Sequence, residues 1–268
     1  YLTEQGSPIP IIVASDPAWN RLVYGIGDNI WAHNGHFTGG LSSTPERLIF
    51  APDVENDAVW VLYFNHESLP AVAPYPGYIN TGDGPRDVCY DDGGTAAFGD
   101  DFFWAVHINE GTAKKYSYTF DPIYLNFTYE QSAVLSGLDN PISIARGRAI
   151  DNSCQNCDEY GHNEWLYILE ENGAIKCYTN NQVPPGNDPN IVHQFTAHAP
   201  VNTHLMSLTV DHTGIIWATD IYNSCAITFY NDETQLVELD RFGTYGTENS
   251  PGQILFPTDI SFVEGVVQ

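Results

Sequence analysis

The sequence predicts an all-β fold, a β-propeller of about six blades, and three observations carry that expectation. A short apolar strand, an acidic turn and a second strand bearing a large aromatic residue recur along nearly the whole 268-residue chain. The matching tryptophans Trp60, Trp104, Trp165 and Trp217 lie 44, 61 and 52 residues apart, which brackets the roughly 40–50 residues of a four-stranded blade. No stretch holds apolar residues at helical spacing over more than two turns, so stacked helical repeats are excluded.

The first two units are short and regular. Ile11 to Asp16 leads to Leu22-Val23-Tyr24, and Leu48 to Asp53 leads to Val59-Trp60-Val61. Asp87 to Asp91 leads, through a Gly-rich turn, to Phe103-Trp104-Ala105-Val106; Ile142 to Ala145 leads to Trp165-Leu166-Tyr167-Ile168. Leu208 to Gly214 leads to Ile216-Trp217-Ala218-Thr219-Asp220, and a last strand starts at Asp259. Five repeat cores plus a terminal strand are therefore visible, and the chain reads as one domain over residues 1–268. One blade cannot bury both faces alone; radial stacking does so. The blade-core aromatics Tyr24, Trp60, Trp104, Trp165 and Trp217 are expected between blades, where a flat ring fills the wedge and its polar atom finds a partner.

Nine basic residues stand against 34 acidic ones, a net charge of −25. Phosphate recognition needs a cationic footprint, so nucleic acid is excluded as a partner, and an anionic membrane surface is disfavoured for the same reason. The apolar runs, such as Ala58 to Phe64, are of strand length, so no membrane insertion is expected. A start at Tyr1 without a leader is expected of a processed form or of a piece of a longer extracellular chain.

The five cysteines are Cys89, Cys154, Cys157, Cys177 and Cys225. An odd count leaves at least one unpaired within the chain. Cys154 and Cys157 are disulfide candidates, with free thiols and a metal or redox role as the alternatives; Asp158 stands where a haem motif needs His, and no second CxxC completes a zinc ribbon. Asn126-Phe127-Thr128 is an N-glycosylation acceptor. With the acidic surface, these features favour a secreted, extracellular glycoprotein.

Arg241-Phe242-Gly243-Thr244-Tyr245-Gly246, together with Pro251-Gly252-Gln253-Ile254-Leu255-Phe256-Pro257-Thr258-Asp259-Ile260, resembles the junction of NHL repeats. Asp211 to Asp220, with Asn223 to Phe229, resembles the body of that repeat. The resemblance covers about residues 205–263 and fades upstream, where a long polar loop, about Arg146 to Asn163, interrupts the fourth unit. It implies a propeller of about six blades. Propeller lyases and lactonases similar to this fold hold a divalent ion on the channel axis with His, Glu or Asn side chains.

Catalytic motifs are few. Gly25-Ile26-Gly27 lacks the third glycine and adjoining helix of a dinucleotide fingerprint, and no GxSxG, HExxH or EF-hand loop occurs. The acids Asp16, Asp53, Asp91 and Asp211 recur just after the inner strand, where a short carboxylate accepts from turn amides. Asp91-Asp92-Gly93-Gly94 and Asp100-Asp101 carry oxygen ligands of the type Ca²⁺ takes, but read first as solvated acidic loops. His33, His36, His107, His162, His193, His198, His204 and His212 share no position of the inner strand, so no converging metal triad emerges and no cofactor is expected. The function expected is a secreted, non-catalytic propeller that serves as a protein-interaction or structural module, with protein partners, self-assembly or a glycan as ligand. Its rival is a metal-dependent lyase- or lactonase-like enzyme acting on a small extracellular substrate.

Overall fold

The computed structural model describes residues 11–16, 21–26, 29–34, 42–43, 48–54, 56–64, 72–91, 101–121, 123–124, 126–148, 164–180, 191–211, 213–245, 253–254, 257 and 259–260. The first unit is a three-stranded sheet of β1 (Ile11–Asp16), β2 (Arg21–Ile26) and β3 (Asn29–Asn34). Four four-stranded sheets come after it. The second unit holds β4 (Ser42–Ser43), β5 (Leu48–Asp53), β6 (Ala58–Phe64) and β7 (Val72–Asn80), and the third β8 (Pro85–Asp91), β9 (Phe102–His107), β10 (Thr112–Asp121) and β11 (Asn126–Ser136). The fourth holds β12 (Pro141–Arg148), β13 (Glu164–Glu170), β14 (Ala174–Asn180) and β15 (Ile191–His198), and the fifth β16 (Leu205–Val210), β17 (Ile216–Asp220), β18 (Cys225–Asn231) and β19 (Leu236–Phe242). A two-stranded parallel ladder pairs β20 (Thr244–Tyr245) with β21 (Gln253–Ile254).

The fold is an all-β propeller. Four complete blades form among the described residues, where the sequence suggested about six; the strand expected at Asp259 has no ladder at Asp259 or Ile260. Within each four-stranded sheet successive strands pair antiparallel, and the inner strands β5, β8, β12 and β16 contact one another in chain order.

Alternation along each strand decides which side chains bind which neighbour. On β9, Phe103 and Ala105 join Phe50, Val59, Val61, Tyr116 and Tyr118 in a core between the second and third units. Trp104 and Val106 turn the other way, to Ile144, Leu166 and Ile168 of the fourth. On β13 the same switch sends Trp165, Tyr167 and Leu169 to Leu205, Leu208, Ile227 and Phe229 of the fifth unit. The third and fourth blades are thus buried on both faces, as radial stacking requires. Aromatic stacking reinforces the first of these interfaces, with the Phe103 ring centroid 4.6 Å from that of Phe50 across it and 4.9 Å from that of Tyr116 within the third unit.

Tyr24, Trp104, Trp165 and Trp217 lie on the second strand of their unit, and Trp60 lies on β6, the strand that follows the inner strand β5. Trp104 and Trp165 are buried, whereas Trp60 and Trp217 are half-buried, Trp217 stacking on the exposed Phe242 at 5.2 Å. Of Tyr24 the structure describes only the backbone, opposite Val13 on one side and Trp31 on the other.

Candidate functional site

Two features recur from blade to blade, one at each end of the inner strand. At its start, three inner strands carry a bulge at the same place: the register slips between Pro85 and Asp87, between Pro141 and Ser143, and between Leu205 and Ser207. A bulge adds one residue and re-aims the side chains beyond it. The residue after each bulge is polar and buried, namely Asp87, Ser143 and Ser207. Asp259 is the next polar residue in the series.

These side chains bridge blades whose inner strands make no ladder with each other. Asp87 Oδ2 accepts from Ser143 Oγ at 2.6 Å and from Ile144 N at 2.9 Å, while Asp87 Oδ1 accepts from Val88 N at 2.8 Å. One unit further on, Leu208 N donates to Ser143 Oγ at 2.9 Å, the same step repeated. Ser207 Oγ then donates to Asp259 Oδ1 at 2.7 Å. Asp87, Ser143, Ser207 and Asp259 form a hydrogen-bonded girdle through the third, fourth and fifth units and on to Asp259.

The girdle holds its carboxylates against a cost. Burial, and next the charge of Asp259, raise Asp87 to about 7 despite its three hydrogen bonds. Asp259 is also raised, chiefly by desolvation of its carboxyl, although the residue as a whole retains exposed surface. Arg86, the bulged residue, is lowered by burial, against the opposing pull of Asp87, Asp259 and Glu171.

At the far end of the inner strand the recurrent acids hold the indoles. Asp53 Oδ2 accepts from Trp60 Nε1 at 3.1 Å, Asp91 Oδ2 from Trp104 Nε1 at 3.1 Å, and Asp211 Oδ2 from Trp217 Nε1 at 2.8 Å. In each case the acid stands two residues beyond the strand partner of the tryptophan, Ala51, Cys89 or Thr209. Asp53 and Asp211 also accept from turn amides, Asn56 N in one and Thr213 N and Ile215 N in the other. Burial pushes Asp211 up, but the bond from the Thr213 hydroxyl at 2.6 Å, that from Trp217 and those from the amides outweigh it and leave its pKa lowered. Asp91 further pairs with Arg146 of the fourth unit at 2.5 Å and lies 3.8 Å from the Lys115 ammonium, which sits 3.8 Å from the centroid of the Phe102 ring.

The fourth unit departs from this pattern. Counted from the end of the second strand, the residue matching Trp104 (three before His107) and Trp217 (three before Asp220) is Tyr167, three before Glu170. Trp165 is therefore not the fourth member of the series, and its buried indole nitrogen has no hydrogen-bond partner among the described residues. Tyr167 pairs with Ala145, so Gly147 takes the place of the acid. Instead of an aspartate, Tyr167 Oη accepts from Asn231 Nδ2 of the fifth unit at 2.9 Å. A Cβ on Gly147 would overlap the Val210 side chain, so glycine here is what lets β16 approach β12.

Other residues singled out in the sequence lie apart from these two features. Cys154 and Cys157 lie outside the described residues, as does nearly all of the polar loop from Arg146 to Asn163 beyond Arg148. Cys89, Cys177 and Cys225 are free thiols, and burial raises the pKa of each. Asn126 is exposed at the start of β11; Thr128 of its sequon bonds Thr119 through the hydroxyls at 2.7 Å. His107 is buried at the end of β9, neither ring nitrogen making a well-formed hydrogen bond among the described residues; burial, then Lys114, lower it to about 4. Among the described residues no three His, Cys, Asp or Glu side chains come together as a metal-holding group, and no helix is long and apolar enough to cross a membrane.

The outer rim contrasts with this stapled interior. The fourth strands β11, β15 and β19 are edges with no ladder beyond them among the described residues. They expose Tyr129, Val134, Val192, Val237, Leu239 and Phe242, and the turn leading into β11 exposes Ile123 and Tyr124.

No family model matches this sequence and no curated protein sequence matches it. Solved structures do. A Bacteroides fragilis protein provisionally named a 6-phosphogluconolactonase aligns over 98% of this chain and 72% of its own, at 12% identity and a TM-score of 0.63. The periplasmic gluconolactonase of Pseudomonas aeruginosa aligns over 96% and 69%, at 13% identity and a TM-score of 0.55. A streptogramin B lyase aligns over 97% and 76%, at 15% identity and a TM-score of 0.50. At such identities the likeness bears on architecture alone, and the architecture it agrees with is the β-propeller.

Proposed function

We propose that this chain is a single NHL-like propeller domain, secreted and non-catalytic, that acts as an interaction or structural module of an extracellular assembly. The observation that supports this most is the rim: three consecutive outer strands expose aromatic and aliphatic side chains beside backbone edges that carry no ladder among the described residues. Proteins normally blunt such edges with charged side chains such as lysine, with proline, with a bulge or with a covering segment. Here β11, β15 and β19 contain neither lysine nor proline, and each carries a one-residue bulge, at Ser132, Gln194 and Leu239. Tyr and Phe on a rim are also the side chains favoured in protein interfaces.

The lactonase- and lyase-like reading needs a divalent ion on the axis, held by inward side chains. The girdle does not fit one. Both oxygens of Asp87 are engaged by Ser143, Ile144 and Val88, and Arg86 adds a positive charge beside them. An Asn126-linked glycan on the same rim and a Cys154–Cys157 disulfide are part of the secreted reading and are checked by intact-mass measurement before and after deglycosylation and reduction.

Light scattering of the purified chain over a wide concentration range, with cross-links mapped by mass spectrometry, tests the module. Self-association or partner cross-links through residues of β11, β15 or β19 are expected. A stoichiometric divalent ion in the purified protein, bound by inner-strand residues, would overturn the non-catalytic reading.

A further inference from the structure

The turn between the second and third strands carries an asparagine in each of the third, fourth and fifth units, and each one reaches back to the linker that brings the chain into its unit. Asn109 Nδ2 donates to Asp83 Oδ1 at 2.8 Å, Asn172 Nδ2 to Asp139 Oδ2 at 3.0 Å, and Asn223 Nδ2 to the Asn202 carbonyl at 2.9 Å. The staple recurs, but the residue after it does not. Glutamate follows in the third unit, serine in the fifth and glycine in the fourth.

Gly173 stands at φ +85°, a conformation that strains residues with a side chain. In the third unit the left-handed position falls to Gly111, and Glu110 separates it from the asparagine. The turn of the fourth unit is one residue shorter, so the stapling asparagine and the obligatory glycine become neighbours. An asparagine followed by glycine is the least hindered pair for attack of the next backbone nitrogen on the side-chain amide, because no Cβ shields that nitrogen.

We propose that Asn172-Gly173 is a site of spontaneous deamidation, held in check by the folded turn and released when the turn opens. A base takes the Gly173 amide proton, the nitrogen bonds to Asn172 Cγ, the Cγ–Nδ2 bond breaks, and the departing nitrogen recovers the proton and leaves as ammonia. Water then opens the cyclic imide at either carbonyl and leaves aspartate or its β-linked isomer. The fold opposes the first step at both reacting atoms. Gly173 N donates to Glu170 O at 2.9 Å, which engages its proton; Asn172 Oδ1 accepts from Ala174 N at 2.8 Å while Nδ2 is tied to Asp139, which fixes the side chain. Once formed, the new carboxylate has no proton to donate and sets a negative charge against Asp139, next to Glu171, so the staple does not re-form.

Peptide mapping by mass spectrometry, which separates Asn172 from the chain's other such pair, Asn34-Gly35, follows the conversion in the native chain and in urea. Asn172 is expected to convert in urea, at least about tenfold more slowly in the native chain because the turn must first open, and faster as pH rises; Asn109 and Asn223 should stay intact over the same period. Asp139→Ala removes the tether and is expected to raise the native rate about fivefold, the effect on opening of losing one exposed hydrogen bond, with the rate in urea unchanged. Asn172→Asp, which carries the product's charge, should speed hydrogen exchange over residues 137–140 and 171–174 while protection elsewhere is kept. An Asn172 that stays intact in urea, or that converts no faster than Asn109 and Asn223, overturns the site. Equal rates in the native chain and in urea, or an Asp139→Ala chain that converts no faster than the native one, overturn control by the turn.

Discussion

The third and fourth units solve the same packing problem in different ways, and the contrast shows what the repeat has to conserve. In the third, Asp91 holds the Trp104 indole and both are buried. In the fourth, Gly147 replaces the acid, Tyr167 replaces the tryptophan, and the hydroxyl turns to Asn231 of the next blade. The second and fifth units agree with the third. What is kept is a large ring on the strand that follows the inner strand, with its polar atom satisfied; whether the partner comes from the same blade or the next is free to vary. Removing the acid's side chain altogether is what gives Val210 its place, so the change tightens the junction between the fourth and fifth units.

The largest effect is expected at Trp104. Truncation to Ala removes a side chain 1% exposed and leaves the Asp91 carboxylate without its indole donor, at a cost of about 3–5 kcal/mol in a chemical-denaturation experiment. Trp217→Ala, half-buried against an exposed Phe242, should cost less. Equal losses at the two positions would show that burial does not distinguish them.

Gly147→Ala comes next. The added methyl meets Val210, and overpacking of this type costs about 1–3 kcal/mol. Val210→Ala in the same chain should recover much of that loss, a coupling that a double-mutant cycle reads directly. Purely additive changes would mean that Val210 is not what holds position 147 to glycine. Tyr167→Phe, which strands the buried Asn231 amide, is expected to cost about 1–3 kcal/mol, whereas Asn231→Leu in the Tyr167→Phe background should return part of it.

The unit boundaries were legible because strand, acid and aromatic recur in sequence; the strands starting at Ile11, Leu48 and Ile142 begin within a residue of where the pattern put them. Position within the fourth unit was not. Trp165 and Tyr167 are two residues apart on one strand face, packed in one cluster, and the more conspicuous residue was the wrong match. Only the register at the strand's end separates them. The girdle was hidden for a related reason: Asp87, Ser143, Ser207 and Asp259 share a hydrogen-bonding role, not a residue type, and the bulge that aligns the first three is a one-residue slip that leaves no mark in a period-two pattern. The recurrent acids were visible, but their indole partners became evident only with the second strand laid alongside.

The smallest net effect is expected from pH, because two buried groups of the third unit oppose each other. Asp87 is raised from 3.8 to about 7, so it favours the folded state below about pH 4 and that advantage is lost as pH climbs through about 7. His107 is lowered from 6.5 to about 4, so its advantage is present above about pH 6.5 and is lost as pH falls through about 4. Over the same window the two contributions run in opposite directions and flatten the stability of the native chain. Replacing either one should unmask the other. Relative to the native chain, Asp87→Asn should become progressively more stable as pH rises from about 4 to 7, because only the histidine contribution remains. His107→Phe should show the reverse, its relative stability declining over that interval. Urea midpoints measured at half-unit steps give both slopes, and variants whose difference from the native chain does not change with pH would show that neither group titrates in the folded state as its surroundings require.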